Sequence, residues 1–151
     1  MHLAQLNVAD AIASMDSPEM ADFVNNIERI NKLAETSPGY IWRLTDEDSD
    51  NSYSMQLFDS EFIVTNMSVW KDRESLFDFV YNTSHVEIFK RRKEWFSKMP
   101  EMHMVLWYVN EGHIPDIEEA KERLRYLREH GESAYAFTFK SPYREEDVKK
   151  L

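Results

Sequence analysis

The stretch from Phe62 to Phe96, FIVTNMSVWKDRESLFDFVYNTSHVEIFKRRKEWF, constrains the fold more than any other. Its first part alternates with the strand period. Ile63, Thr65, Met67 and Val69 take one face, and Phe62, Val64, Asn66, Ser68 and Trp70 take the other. Asp72 then stands at a helix N-cap position, and a short helix runs to about Tyr81. Asn82-Thr83 interrupts it, and Ser84-x-x-Glu87 reads as a capping box that opens a second helix ending before Pro100.

The flanking segments extend this into a repeated pattern. Residues 2–8 alternate, with His2, Ala4, Leu6 and Val8 opposite Leu3, Gln5 and Asn7. Ser17-Pro18-Glu19 reads as a helix start, and Met20, Phe23, Val24, Ile27, Ile30 and Ala34 recur at helical spacing to about Glu35. Ser37-Pro38-Gly39 ends that helix and a strand follows, Tyr40 to Leu44. Residues 45–52 form an acidic loop without the Gly and Glu positions of a calcium-binding hand. Tyr53–Phe58 and Phe62–Trp70 read as a hairpin. Met102–Val109 is the fourth main strand. Gly112-His113-Ile114-Pro115 turns the chain, Asp116-x-x-Glu119 caps a helix that stops at Gly131, and Ala134–Phe139 is a last short strand.

The order β-α-β-β-α-β predicts an α+β, ferredoxin-like antiparallel sheet with helices on one face, plus an extra C-terminal helix and strand. Residues 1–142 form one domain on this reading, and 143–151 a charged, mobile tail.

Charge and composition remove whole classes of function. Twenty-eight acidic residues against eighteen basic leave a formal net charge of −10, which repels phosphate backbones, so no nucleic-acid partner is expected. The basic run Lys90-Arg91-Arg92-Lys93 is the local exception and reads as a solvated helix face. Without Cys, neither disulfides nor thiolate metal sites can form. No apolar run approaches the ~20 residues of a membrane span. The N-terminal residues lack a signal-peptide pattern, so a cytoplasmic protein is expected. Gly is too scarce for a phosphate loop, and no metal-site spacing is present, so no metal is expected.

One sheet face carries a mixture that suits a lined cavity: Gln5 and Asn7 on the first strand, Asn66, Ser68 and Trp70 on the third, and His103, Val105 and Trp107 on the fourth. That face is expected to be free of helices and buried in a homodimer. A ligand-free interface is the competing reading. His85 stands at a helix start where the dipole favours a neutral ring, fit for a base, a donor or a mere cap. Arg92 lies near Trp95 and can clamp an anion or join a surface ion pair. His113 reads as bonding turn backbone.

Several blocks carry a family resemblance. They are Leu3–Asn7, Ser37–Arg43, Ser68–Trp70, His85 through Arg92 to Trp95-Phe96, Leu106–Val109, Gly112–Pro115 and Ala136–Phe139. Together they resemble domain-of-unknown-function family 3291, which is similar to the dimeric α+β barrel proteins. That superfamily includes antibiotic-biosynthesis monooxygenases, haem-degrading enzymes and stress-response dimers. The resemblance implies a small-molecule-binding homodimer, monooxygenase-like on an aromatic or planar substrate, with no cofactor required. Asn7 and Trp70 match the first-strand Asn and third-strand Trp of the haem-degrading enzymes. The position of their haem-ligating His falls around Phe89 to Arg91, which holds no His. A non-catalytic haem- or ligand-binding dimer and a purely structural dimer stay open beside the enzyme. The residues expected to bear function are His85, Arg92 and Asn7 in catalysis, with Trp70, Trp95, Trp107, Ser68, Asn66 and His103 against the substrate.

Overall fold

The computed structural model describes residues 1–44, 63–83, 85–98, 101–141 and 143–148. In chain order the elements are β1 (His2–Ala11), a 3-10 turn (Pro18–Met20), α1 (Ala21–Thr36), β2 (Tyr40–Arg43) and β3 (Ile63–Trp70). They continue as α2 (Arg73–Asn82), α3 (His85–Lys90), a second 3-10 turn (Arg92–Glu94), β4 (Phe96–Ser97), β5 (Met104–Val109), α4 (Ile117–His130) and α5 (Glu145–Val148). β1 is central, with β3 antiparallel on one side and β5 and β4 antiparallel on the other; β2 lies outside β3. This is the ferredoxin-like α+β arrangement. The strand expected at 53–58 lies outside the described residues.

Local chemistry sets most boundaries. The Asp72 carboxylate accepts from the Ser75 backbone N–H at 2.8 Å, and Asp116 accepts from Glu119 N–H at the same distance, so both caps form as expected. Gly131 ends α4 with φ 79° while its N–H reaches the Leu127 carbonyl. Ser17 does not cap. Its hydroxyl donates to the Ser14 carbonyl at 2.6 Å, and regular helix begins at Ala21. The Ser84 capping box lies outside the described residues.

The long helix expected from Ser84 toward Pro100 breaks after Lys90. Trp95 is buried against Phe23, with ring centroids 5.6 Å apart, and its carbonyl accepts from Ile12 N–H at 2.8 Å. The end of β1 thus takes the chain into the sheet, and Phe96 pairs with Ala11. Edge pairing and a buried indole outweigh further helix. The expected last strand shrinks to a bridge in which Phe137 and Leu106 exchange backbone hydrogen bonds of 2.7 and 3.0 Å. Past it, the charged tail has contacts over 143–148: Tyr108 Oη donates to the Tyr143 carbonyl, and the N-terminal ammonium meets Glu145.

The two sheet faces differ from the expectation. Ala4, Leu6, Val8, Met67, Val69, Val105 and Trp107 form one buried cluster with Ala120, Leu124 and Leu127 of α4. On the opposite face, Leu3, Trp70 and Leu106 pack with Ile30 and Ala34 of α1 and Leu76 and Phe79 of α2. Helices therefore cover both faces. The amide-bearing face, expected to be helix-free, is the one under α1 and α2, and the extra helix α4 occupies the other. Among the described residues neither sheet face is left free of helices, contrary to the expectation, and the indoles Trp70 and Trp107 that motivated the dimer contact are buried within one chain.

Two stability predictions follow from close contacts. Gly39 has φ +84°, and a Cβ there would stand 2.1 Å from Ser75 Oγ and 2.4 Å from Ser75 Cβ. Gly39→Ala should cost about 2–3 kcal/mol, measured by urea unfolding. The Thr65 hydroxyl is buried with no hydrogen-bond partner among the described residues. Thr65→Val should leave stability unchanged or raise it by about 1 kcal/mol, because no bond is lost and a desolvation penalty disappears. A loss above about 1 kcal/mol would show that the hydroxyl is satisfied in solution.

Candidate functional site

The register of β1 decides which polar side chains meet. Asn7 lies opposite Asn66 on β3 and Met104 on β5; Gln5 lies opposite Ser68 and Leu106. All six point to the α1/α2 face, because alternate residues share a face. The apolar cover on that face is split in two. One cluster is built on Leu3, Trp70 and Leu106, the other on Ala11, Val64 and Trp95. Ile88 of α3 packs against both clusters, so α3 spans the gap. Between them the amide row Asn7–Asn66 is exposed although it sits on the central strand and its neighbour, with Leu6 and Val8 fully buried on the reverse side. The result is a solvent-reached polar floor inside an apolar frame.

A hydrogen-bond network orients that floor. Gln5 Nε2 donates to Asn66 Oδ1 at 2.6 Å and to Ser68 Oγ at 2.7 Å. Trp70 Nε1 donates to the same Ser68 Oγ at 2.9 Å. Both N–H groups of Gln5 are thus committed, and Asn66 accepts through its oxygen. The Asn66 NH2 group, with its two donors, makes no hydrogen bond to a described residue. Gln5 and Ser68 are buried, so the orientation is held away from water.

The indoles expected to stack on a substrate are all interior. Trp70 and Trp95 are 1% exposed and Trp107 is 0% exposed. Trp70 is stacked on Phe79 at 5.1 Å and edged by Tyr40 at 5.7 Å; it reaches the floor through Ser68. Trp107 lies opposite Ala4, on the α4 face, where its Nε1 donates to Glu119. It cannot share a cavity with Trp70, and Val105 leaves that face with it. His103 is exposed and precedes β5, its carbonyl accepting from Val8 N–H. Arg92 is exposed, with its guanidinium 4.3 Å from the Phe89 ring centroid and a bond to the Phe89 carbonyl. Its neighbour Arg91 makes the ion pairs, with Glu94 and Asp22, and lies over Trp95. The expected single site therefore divides: Asn7, Asn66, Ser68 and Trp70 belong together, Trp95 lies buried in the cluster beside them, and Arg92, Trp107 and His103 stand apart.

His85 opens α3, one helical turn before Ile88. Its ring lies 5.1 Å from Phe79, which also stacks on Trp70, so Phe79 separates imidazole from indole. Nδ1 lies 3.2 Å from the Val80 carbonyl. A carbonyl only accepts, so Nδ1 carries the proton and Nε2 keeps its lone pair. Burial pushes the ring below the ordinary 6.5, partly offset by the Val80 carbonyl. The helix positions where the resemblance places a haem ligand hold Phe89, Lys90 and Arg91, and Arg91 is held by two carboxylates.

Sequence reasoning singled out the amide row but missed the roles of Gln5 and Phe79. A buried amide on the most central strand is a signal for the first; nothing in the spacing betrays the second.

A family model described as domain of unknown function (DUF3291) matches residues 2–151. The chain belongs to that family. No curated protein matches this DUF3291 chain. A crystal structure of SnoaB, a cofactor-independent oxygenase from Streptomyces nogalater, is similar with a TM-score of 0.51 at 11% identity. The match covers 76% of the DUF3291 chain and 98% of that chain, and shows that the two share a fold. Among the described residues no helix is long and apolar enough to cross a membrane.

The depressed His85 value makes a signed prediction. The unfolded ring takes a proton near 6.5, the folded ring only at lower pH. This contribution is full above 6.5 and is lost as pH falls below it. Unfolding followed from about pH 7 to about pH 5 should show a shallower loss of stability in His85→Asn than in the unaltered protein. An equal or steeper loss in the variant would show that His85 is freely protonated.

Proposed function

We propose that this protein is a small-molecule enzyme that oxygenates a planar, ionisable substrate without a resident cofactor. The observation that carries the reading is the Asn66 amide, whose NH2 group is left to the floor by its bond from Gln5. Donors held in place before the substrate arrives suit an oxygen that gains negative charge, as in an enolate or phenolate. The apolar clusters on either side of the row suit the flat body of such a molecule. The fold shared with a cofactor-independent oxygenase supports the choice of reaction.

The chemistry balances with dioxygen as the oxidant. A ring CH2 beside a carbonyl loses a proton, and the resulting enolate rests on Asn66 and Asn7. Its carbon bonds to dioxygen, and the terminal oxygen of the peroxide so formed takes the proton to give a hydroperoxide. Loss of water then leaves a ketone, so CH2 and O2 become C=O and H2O. His85 keeps its Nε2 lone pair and opens the helix that spans the gap between the two clusters, which makes it the candidate base on this reading. Ser68 and Trp70 act as positioning residues through the network. Arg92, turned onto the Phe89 ring and carbonyl, has no part in this step.

Oxygen uptake with a panel of planar hydroxy-ketones bearing an acidic ring CH2 tests the proposal. Asn66→Ala should lower kcat by about 10²–10³, the usual loss for one preorganised donor. Trp70→Phe keeps an aromatic side chain but deletes the indole N–H, and should lower kcat by roughly 10-fold as Ser68 loses its second donor. Saturable binding without oxygen uptake would overturn the enzyme and leave a ligand-binding protein.

A further inference from the structure

The outer surface of α2 and α3 carries an aromatic patch that the amide floor does not use. Leu76 and Phe79 of α2 turn inward, which puts Phe77 and Tyr81, four residues apart, on the outer side. Phe77 is 45% exposed, Tyr81 38% and Phe89 of α3 38%. The rings are contiguous. Phe77 and Tyr81 lie 4.6 Å apart, Tyr81 and Phe89 6.3 Å, and each α2 ring lies 5.9 Å from Phe139. Isolated exposed apolar residues are ordinary in a soluble chain, but a joined cluster of rings marks an interaction surface.

Cations frame the cluster. The Arg73 guanidinium is 6.0 Å from the Phe139 ring, and it is held by the Phe139 and Ser141 carbonyls. At the other end Arg92 covers the outer ring of Phe89. Lys90, Arg92 and Lys93 are exposed, and none makes an ion pair with a described residue. These cations thus stand at the α3 end of the patch, while the α2 end carries the exposed carboxylates of Glu74 and Asp78, on a body of net charge −10. Exposed Tyr, Phe and Arg together have the composition of an interface centre.

We propose that this surface docks an acidic peptide segment of a partner protein, with aromatic or large apolar residues as anchors between the carboxylates. The rings take the anchors, and Arg92, Lys90 and Lys93 take the carboxylates. A second copy meeting this patch with its own would set the cationic rims against each other. A nucleic acid could stack and pair here too, but its long polyanion is repelled by the rest of the surface, whereas a short acidic segment feels mainly the rim.

Panning a random peptide display library tests the idea. The full chain is the target, and a Phe77→Ser, Tyr81→Ser, Arg92→Glu, Lys93→Glu variant of verified fold is the counter-target. Binders that survive counter-selection should combine Asp or Glu with Phe, Tyr, Trp or Leu. They should weaken at least about 10-fold for Arg92→Glu alone, and weaken with rising salt. Survivors without acidic residues, or none at all, would overturn the proposal. So would self-association in light scattering that Phe77→Ser abolishes, or tighter patch-dependent binding of single-stranded DNA. Because none of these substitutions touches Gln5, Asn7, Asn66 or His85, oxygen uptake in the same variants should be unchanged. The outcome is thus separable from that of the enzyme reading.

Discussion

Everything at the candidate site depends on the register of the central strand. β1 is paired on both sides, so a shift of one residue would turn Gln5 and Asn7 under α4 and expose Leu6 and Val8 to the amide face. The apolar residues on each face oppose such a shift. Ala4, Leu6 and Val8 are needed beneath α4, and Leu3 beneath α1 and α2. Hydrophobic burial therefore holds polar groups in place that it does not itself touch. The Gln5 bonds add orientation to that placement, and their worth is raised by burial.

The polar floor survives because the apolar cover is interrupted above it. A continuous helix layer would leave two asparagine amides without partners, at a cost of about 1–3 kcal/mol each. Two separate clusters with Ile88 bridging them leave the amides wet while the sheet beneath stays dry. The break after Lys90 contributes to this. By returning the chain to β1 at Phe96, it shortens α3 and places Trp95 in the second cluster. One loss of helix thus serves the packing of the second cluster and the opening beside it.

The role of α4 changes how the molecule can assemble. A sheet with helices on one side needs a partner or water on the other. Here Ala120, Leu124 and Leu127 close that side, and Glu119 binds both the buried Trp107 and His113. An exposed aromatic patch lies on α2 and α3. Its rings face outward because Leu76 and Phe79 have taken the inward positions.

Hydrophobic periodicity and caps made much of this fold legible in the chain itself. The β-α-β-β-α order, the caps at Asp72 and Asp116, the stop at Gly131 and the alternation that puts Asn7 and Asn66 each on its strand's mixed face all follow from spacing or from local hydrogen bonding. These are short-range effects, carried by residues a few positions apart. Which face each helix covers is a different kind of fact. The alternation of β3 separates Trp70 from Val69, but both faces hold enough apolar residues to meet a helix, so period alone cannot say which one does. The same limit placed Trp107 with Trp70, because the register of β5 against β1 is set by long-range packing. Sequence thus determined that Asn7, Asn66 and Ser68 belong to one mixed face. Tertiary structure decided that this face lies under α1 and α2, that the indoles are interior, and that Arg92 points elsewhere, since burial is shared among elements far apart in the chain.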